Sequence, residues 1–88
     1  MPRYGNYGGP GYGDPTFKTR PADSMDELFM QHDWLWQSGR GRQADITILT
    51  ELVNLPLNPY RWERKPQNIL KAIRYRELAI LYFGYRYF

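Results

Sequence analysis

The single histidine of this 88-residue chain, His32, is followed directly by Asp33 within the segment MQHDWLW. An ionisable pair inside an apolar run lowers stability relative to leucine unless it is hydrogen-bonded. Two interpretations account for the pair: a structural histidine near a helix end, or a general base beside a metal-binding carboxylate. The residues around the pair bear on this choice.

Two amphipathic helices are predicted to position the pair. The first covers about residues 24–37 and begins at Ser24-Met25-Asp26-Glu27, which fits a capping box. The second covers about residues 43–55, after the turn formed by residues 38–41. Apolar residues recur at helical spacing, at Met25, Leu28, Phe29, Leu35 and Trp36 in the first helix and at Ile48, Leu49, Leu52 and Val53 in the second.

His32 falls on the apolar stripe of the first helix, and Asp45 lies one turn before that of the second. A short turn makes the helices antiparallel, so both side chains are expected to point into one core. An inward carboxylate needs a donor and an inward imidazole N–H needs an acceptor. Their pairing would set the tautomer of His32 and leave its other nitrogen as a base. The spacing therefore predicts a His32–Asp45 dyad, with a satisfied core histidine as the alternative.

Asp33 and the glycine-rich segment 7–13, YGGPGYG, predict a cation site beside this dyad. Glycine lets several backbone carbonyls turn toward one point, and carbonyls with a carboxylate are the hard oxygen ligands that Ca²⁺ takes. Zinc is disfavoured, because the chain has no cysteine and one histidine. Taken alone, a Tyr/Gly-rich segment is also typical of a flexible tail.

These motifs together resemble the phospholipase A2 family, and most closely the parvovirus-type domain carried inside capsid proteins. Tyr7-Gly8-Gly9-Pro10-Gly11 is similar to the Y-x-G-x-G calcium loop, His32-Asp33 to the catalytic H-D motif, and Ala44-Asp45 to the start of the next helix. The order of the intervening residues also matches, at Pro21, Asp26 and Trp36. The resemblance covers about residues 7–53, and Trp36 departs from the tyrosine that the family usually has.

The resemblance implies a small all-α, phospholipase A2-like fold and the calcium-dependent hydrolysis of the sn-2 ester of glycerophospholipids. It implies that the carbonyls of Tyr7, Gly9 and Gly11 and the carboxylate of Asp33 hold Ca²⁺. His32 would be the catalytic base and Asp45 would orient it. It further implies a virion component that breaches a membrane during entry.

The chain is thus divided into a flexible N-terminus at 1–6, a core at 7–55, and a linker with a basic, aromatic helix at 56–88. This third helix is predicted from about Gln67 to Phe83, after Pro66. Its residues available for burial are Ile69, Leu70, Ile73, Leu78 and Ile80. A surface for a membrane or a protein partner is predicted at Lys71, Arg74, Tyr75, Arg76, Tyr82 and Tyr85.

Composition limits the remaining possibilities. Hydrophobic residues make up 42% of the chain, enough for a core, and the absence of cysteine excludes disulfides. The start has no apolar segment typical of a secretory signal, and no run reaches the ~20 apolar residues of a membrane-spanning helix. Five Lys/Arg against seven Asp/Glu in residues 1–59, and seven against two in residues 60–88, place the positive charge in the tail.

Two other classes of function fit the sequence less closely than an esterase. A non-catalytic assembly subunit, such as a minor virion or large-complex protein, would dock through the basic aromatic tail. A nucleic-acid binder is the weaker alternative, because the negative balance of residues 1–59 opposes a broadly basic surface.

Overall fold

Helix α1, Ser24–Gln37, and helix α2, Gly41–Asn54, pack against each other and carry the predicted dyad. The computed structural model describes residues 2–87, apart from the side chain of Tyr87; Met1 and Phe88 lie outside the description. A 3-10 turn, Pro59–Arg61, and helix α3, Ile69–Tyr87, complete the secondary structure. The described residues form no strand, so the all-α prediction is confirmed. Helix α3 extends one turn past the predicted end.

The start of α1 differs from the predicted capping box by one residue. Asp23 is the N-cap, and its carboxylate accepts a hydrogen bond from the Asp26 amide at 2.8 Å. Ser24 is already helical, and its hydroxyl accepts from the Arg64 amide at 2.8 Å, while the Ser24 amide donates to the Arg64 carbonyl. The serine therefore ties the connection before α3 to α1 instead of capping the helix.

The turn between α1 and α2 needs only residues 38–40. The amides of Gly39 and Arg40 donate to carbonyls of the last turn of α1, which satisfies part of the helix end. Gly39 has a φ of +79°, a conformation that favours glycine. So short a connection makes the two packed helices antiparallel, as predicted.

The N-terminal segment is folded onto α1 by the side chain of Asp26, which is fully buried. Its carboxylate accepts three backbone hydrogen bonds, from Asn6 at 2.8 Å, Tyr7 at 2.9 Å and Ala22 at 2.8 Å. Gly5 has a φ of +55°, and a Cβ there would lie 2.5 Å from the Asp26 carboxyl carbon. Both the conformation and the space at position 5 therefore require glycine.

The prediction of a flexible N-terminus at 1–6 is wrong for Tyr4, which is 4% exposed and belongs to the core. Its ring packs against Phe29 and Tyr75, and its hydroxyl donates to Asp23. The Tyr75 hydroxyl in turn donates to the Pro2 carbonyl at 2.7 Å. Aromatic packing and two hydrogen bonds outweigh the loop-forming composition of this segment.

The predicted inner face of α3 is wrong for Leu70, Ile73 and Leu78, which are exposed. The other two predicted residues, Ile69 and Ile80, are partly buried, and Ile80 packs against the core. Ala72, Tyr75, Ala79 and Phe83 make up the buried hydrophobic face of this helix. The two alanines allow close approach, and the aromatic rings fill the space beside α1 and the N-terminal segment. Trp36 and Val53, predicted to face inward on α1 and α2, are about half exposed.

Arg76 is the one basic residue of α3 that is buried, and its side chain caps the C-terminal end of α2. Its guanidinium donates to the carbonyls of Leu52 at 2.9 Å and of Val53 and Leu55 at 3.2 Å. These carbonyls have no intrahelical donor at a helix C-terminus. No helix in residues 2–87 is long and apolar enough to cross a membrane.

We expect Asp26→Asn to lower the free energy of unfolding by about 2–4 kcal/mol, because a carboxylate surrounded by three amide donors is replaced by a group that itself carries N–H donors. Urea unfolding followed by circular dichroism measures the loss. Glu27→Gln is the matched control: it removes an equal charge from an exposed neighbour on the same helix and should change stability by less than about 0.5 kcal/mol. Equal effects of the two substitutions would contradict a structural role for Asp26.

Candidate functional site

The predicted contact between His32 and Asp45 is present in the structure. His32 Nε2 lies 2.7 Å from Asp45 Oδ1, and the two side chains are 14% and 7% exposed. A carboxylate accepts only, so Nε2 carries the proton and Nδ1 is left with its lone pair when the ring is neutral. The pairing therefore presents one defined nitrogen as a potential base.

Arg86, near the end of α3, completes a line of three side chains from three helices. Its Nε donates to Asp45 Oδ2 at 3.0 Å, so the two carboxylate oxygens bind different partners. The Arg86 guanidinium also lies over the rings of Trp36 and Tyr82, with its central carbon 5.1 and 5.7 Å from their centroids. Sequence reasoning missed Arg86, although its spacing of three from Phe83 would place it on the same helix face if α3 were extended.

Two aromatic rings lie close to the imidazole of His32. The ring centroids of Phe83 and Trp36 lie 4.9 and 6.0 Å from that of the imidazole. Burial alone would lower the pKa of His32, but the carboxylates of Asp33 and Asp45 together raise this pKa above its ordinary value. The imidazole is thus held in a setting that favours its protonated form.

Asp33 lies next to the free nitrogen and to the glycine-rich segment. Its Oδ1 is 3.7 Å from His32 Nδ1. On the loop side, Gly13 has a φ of +132°, and a Cβ there would come within 2.9 Å of Asp33 Oδ2. The backbone of the loop therefore reaches the Asp33 carboxylate only because position 13 is glycine.

The arrangement fits a hard cation such as Ca²⁺ in its donor chemistry. Within residues 2–87 no three His, Cys, Asp or Glu side chains form a metal cluster, so main-chain carbonyls would have to supply most ligands. The Gly9 carbonyl accepts a long hydrogen bond from the Tyr12 amide, at 3.3 Å. The backbone hydrogen bonds within the described loop do not end on the carbonyls of Tyr7 or Gly11. Those oxygens and Asp33 are the ligand types that calcium takes.

A cavity of about 250 Å³ joins these groups. Its walls come from the glycine-rich segment, from α1 and from α3, and they include both polar groups and aromatic rings. The lining residues are Tyr7, Gly9, Pro10, Gly11, Phe29, His32, Asp33, Trp36, Tyr75, Tyr82, Phe83 and Arg86. All of the predicted metal-binding residues and the predicted base therefore line one cavity, and Asp45 lies behind His32.

The predicted membrane or partner surface is only partly a surface. Lys71, Arg74 and Tyr85 are exposed, whereas Tyr75 is 3% exposed and lines the cavity together with Tyr82. Arg76 is buried at the end of α2. Reading the basic and aromatic residues of α3 as one face is therefore wrong, because they are distributed around the helix.

Comparison with known protein families, curated proteins and solved structures found no match to this chain. The site itself consists of a histidine with one nitrogen fixed by a carboxylate, a second carboxylate beside the other nitrogen, and a glycine-rich loop that lines the same cavity. This arrangement is suited to activating a water molecule next to a cation.

In metal-free buffer, Asp45→Asn should lower the pKa of His32, because the pairing carboxylate favours the imidazolium form. The neutral ring should also lose its strong preference for the Nε2–H tautomer. Nitrogen-15 NMR of this single-histidine chain measures both quantities without ambiguity. Glu63→Gln is the control: it removes the same charge from an exposed position and should leave the pKa of His32 unchanged. An unchanged pKa in the Asp45 variant would show that the pair does not form in solution.

Proposed function

We propose that this chain is a calcium-dependent esterase that cleaves the sn-2 ester of glycerophospholipids. The observation that supports this most directly is the orientation of His32: Nε2 is bonded to Asp45, while Nδ1 lies beside Asp33 at a cavity lined by the glycine-rich loop. The resemblance of the same residues to the phospholipase A2 motifs agrees with this chemistry. A structural histidine would need only the first of these contacts.

The reaction would use His32 Nδ1 as a general base. The nitrogen takes a proton from a water molecule, whose oxygen attacks the acyl carbon of the ester. The bond between that carbon and the glycerol oxygen then breaks, and the imidazolium returns its proton to the leaving alkoxide. The products are a free fatty acid and a lysophospholipid.

Four groups would hold the cation: the carbonyls of Tyr7, Gly9 and Gly11 and the carboxylate of Asp33. Ca²⁺ bound there would supply a Lewis acid that polarises the ester carbonyl and stabilises the oxyanion. Asp33 has a 28% exposed side chain, so the ligand set remains open to water and to substrate oxygens.

Asp45 and Arg86 would act as positioning residues behind the base. The Arg86 guanidinium neutralises Asp45 and restricts its rotation, because each carboxylate oxygen has its own donor. Trp36 cannot provide the phenol hydroxyl of the tyrosine that the family usually has here. Instead, its ring supports Arg86 by a cation–π contact, so an arginine would replace a phenol in orienting the aspartate.

The aromatic rings that line the cavity suit an acyl chain. Phe29, Tyr82 and Phe83 contribute apolar surface within the same space as His32. An ester whose acyl chain lies against these rings would place its carbonyl near the base and the loop. This combination of apolar walls and a few convergent polar groups is typical of ligand sites.

We expect the chain to release free fatty acid from mixed phospholipid vesicles when calcium is present and to stop when a chelator is added. His32→Ala should lower the rate by about 100-fold or more, because the general base is removed. Gln31→Ala, at an exposed neighbouring position outside the cavity, is the matched control and should keep the wild-type rate. Titration of free fatty acid over time gives the rate for each variant.

The outcome that would overturn the proposal is the absence of release from a folded wild-type chain in both conditions. Release that survives both the chelator and His32→Ala would also overturn it, since the activity would then come from another site or a contaminant. Far-UV circular dichroism of each variant establishes that it is folded before its rate is compared.

Arg86→Leu should lower kcat by about 10- to 100-fold, as expected when a partner that orients a functional side chain is lost. Arg86→Lys keeps the charge but not the planar group that lies over the rings of Trp36 and Tyr82, so it should restore only part of the rate. Guanidinium ion added to the leucine variant should raise its rate. Arg61→Leu is the control, because it removes the same charge from an exposed position. A wild-type rate in the Arg86→Leu variant would exclude the positioning role.

A second candidate function is a non-catalytic assembly subunit. The observation that favours it is the set of large apolar residues exposed on α3, which include Leu70, Leu78 and Leu81. Such residues on one helix are typical of a surface that another molecule covers. This candidate would be favoured if the chain released no fatty acid but bound stably to another molecule.

A further inference from the structure

The outer face of α3 carries a row of four residues that nothing in the described chain covers. Leu70, Arg74, Glu77 and Leu81 follow one another at intervals of four, three and four residues, which places them along one line on a helix. The two leucines are each 57% exposed, and the two charged residues are also exposed. Ile73, at 36%, and Leu78, at 45%, flank the row on either side.

Neither charged residue in this row has an ionic partner in the part of the chain that the structure describes. The ion pairs found among residues 2–87 do not include Arg74 or Glu77. Arg74 and Glu77 lie on one helix at i and i+3 without pairing. Two opposite charges between two exposed leucines therefore remain available to an external partner.

The order of the four residues is self-complementary. A two-fold axis perpendicular to the helices makes two copies of α3 run antiparallel. A centre between residues 75 and 76 then sets Leu70 of each copy opposite Leu81 of the other. The same axis sets Arg74 of each copy opposite Glu77 of the other. Each Leu–Leu and Arg–Glu pairing thus occurs twice in one symmetric contact.

We infer that the outer face of α3 binds a second copy of this chain in an antiparallel pair. A bilayer surface fits the row less well, because Glu77 stands in its centre and would be placed against lipid without a partner. The row spans about 16 Å at the helical rise of 1.5 Å per residue. So short a contact is expected to form a dimer that dissociates on dilution in the micromolar range. This inference does not depend on the proposed esterase activity.

Charge reversal tests the pairing directly by sedimentation velocity. Arg74→Glu alone sets glutamates against each other, and Glu77→Arg alone sets arginines against each other, so each variant should associate at least about tenfold more weakly than wild type. The double variant R74E/E77R restores opposite charges and should dimerise. An equimolar mixture of the two single variants should form a heterodimer. Leu81→Asn should also weaken association, by removing apolar contact.

The inference is overturned if wild type stays monomeric throughout the concentration range, or if neither the double variant nor the mixture recovers association. Binding to vesicles of phosphatidylserine and phosphatidylcholine tests whether the row binds a lipid surface instead of a second copy. A lipid surface would be bound more tightly by Glu77→Arg and less tightly by Arg74→Glu, with no effect of mixing, and that pattern would also overturn it. All substituted positions are exposed, and an unchanged helical spectrum shows that the variants remain folded.

Discussion

The buried carboxylate of Asp26 is the interaction on which the rest of the site depends. A fully buried carboxylate is strongly destabilising unless hydrogen bonds replace those it would make to water. Here three backbone amides donate those bonds. Two of these amides belong to the start of the N-terminal segment and one to its end. The segment must therefore fold back onto α1, and this brings the glycine-rich loop next to Asp33.

The site is built where three helices meet, and each contributes one member of a polar line. His32 comes from α1, Asp45 from α2 and Arg86 from α3. The geometry of the site therefore depends on helix packing, because a shift of α3 would move Arg86 away from Asp45. Trp36 takes part from the rim of the cavity, where its exposed ring supports Arg86.

Helix α3 shows why hydrophobic character alone does not identify a buried face. Leu70, Leu78 and Leu81 are exposed, while Ala72, Ala79, Tyr75 and Phe83 are buried, because close approach to neighbouring elements favours small side chains and rings that fill the remaining space. Arg76 is buried because the end of α2 offers three carbonyls that need donors. These requirements come from neighbouring elements, and a helical periodicity in one segment carries no information about them.

The sequence by itself determined the three helices, the short antiparallel turn and the meeting of His32 with Asp45, because helix periodicity and turn length are local properties. It also indicated that a glycine-rich segment and Asp33 belong to one site. Only the tertiary structure decided that Tyr4 is a core residue, that Asp26 binds the N-terminal segment, and that Arg86 pairs with Asp45. These contacts join residues far apart in the chain, and their partners are chosen by burial and by unmet hydrogen-bonding groups that exist only after the helices have packed.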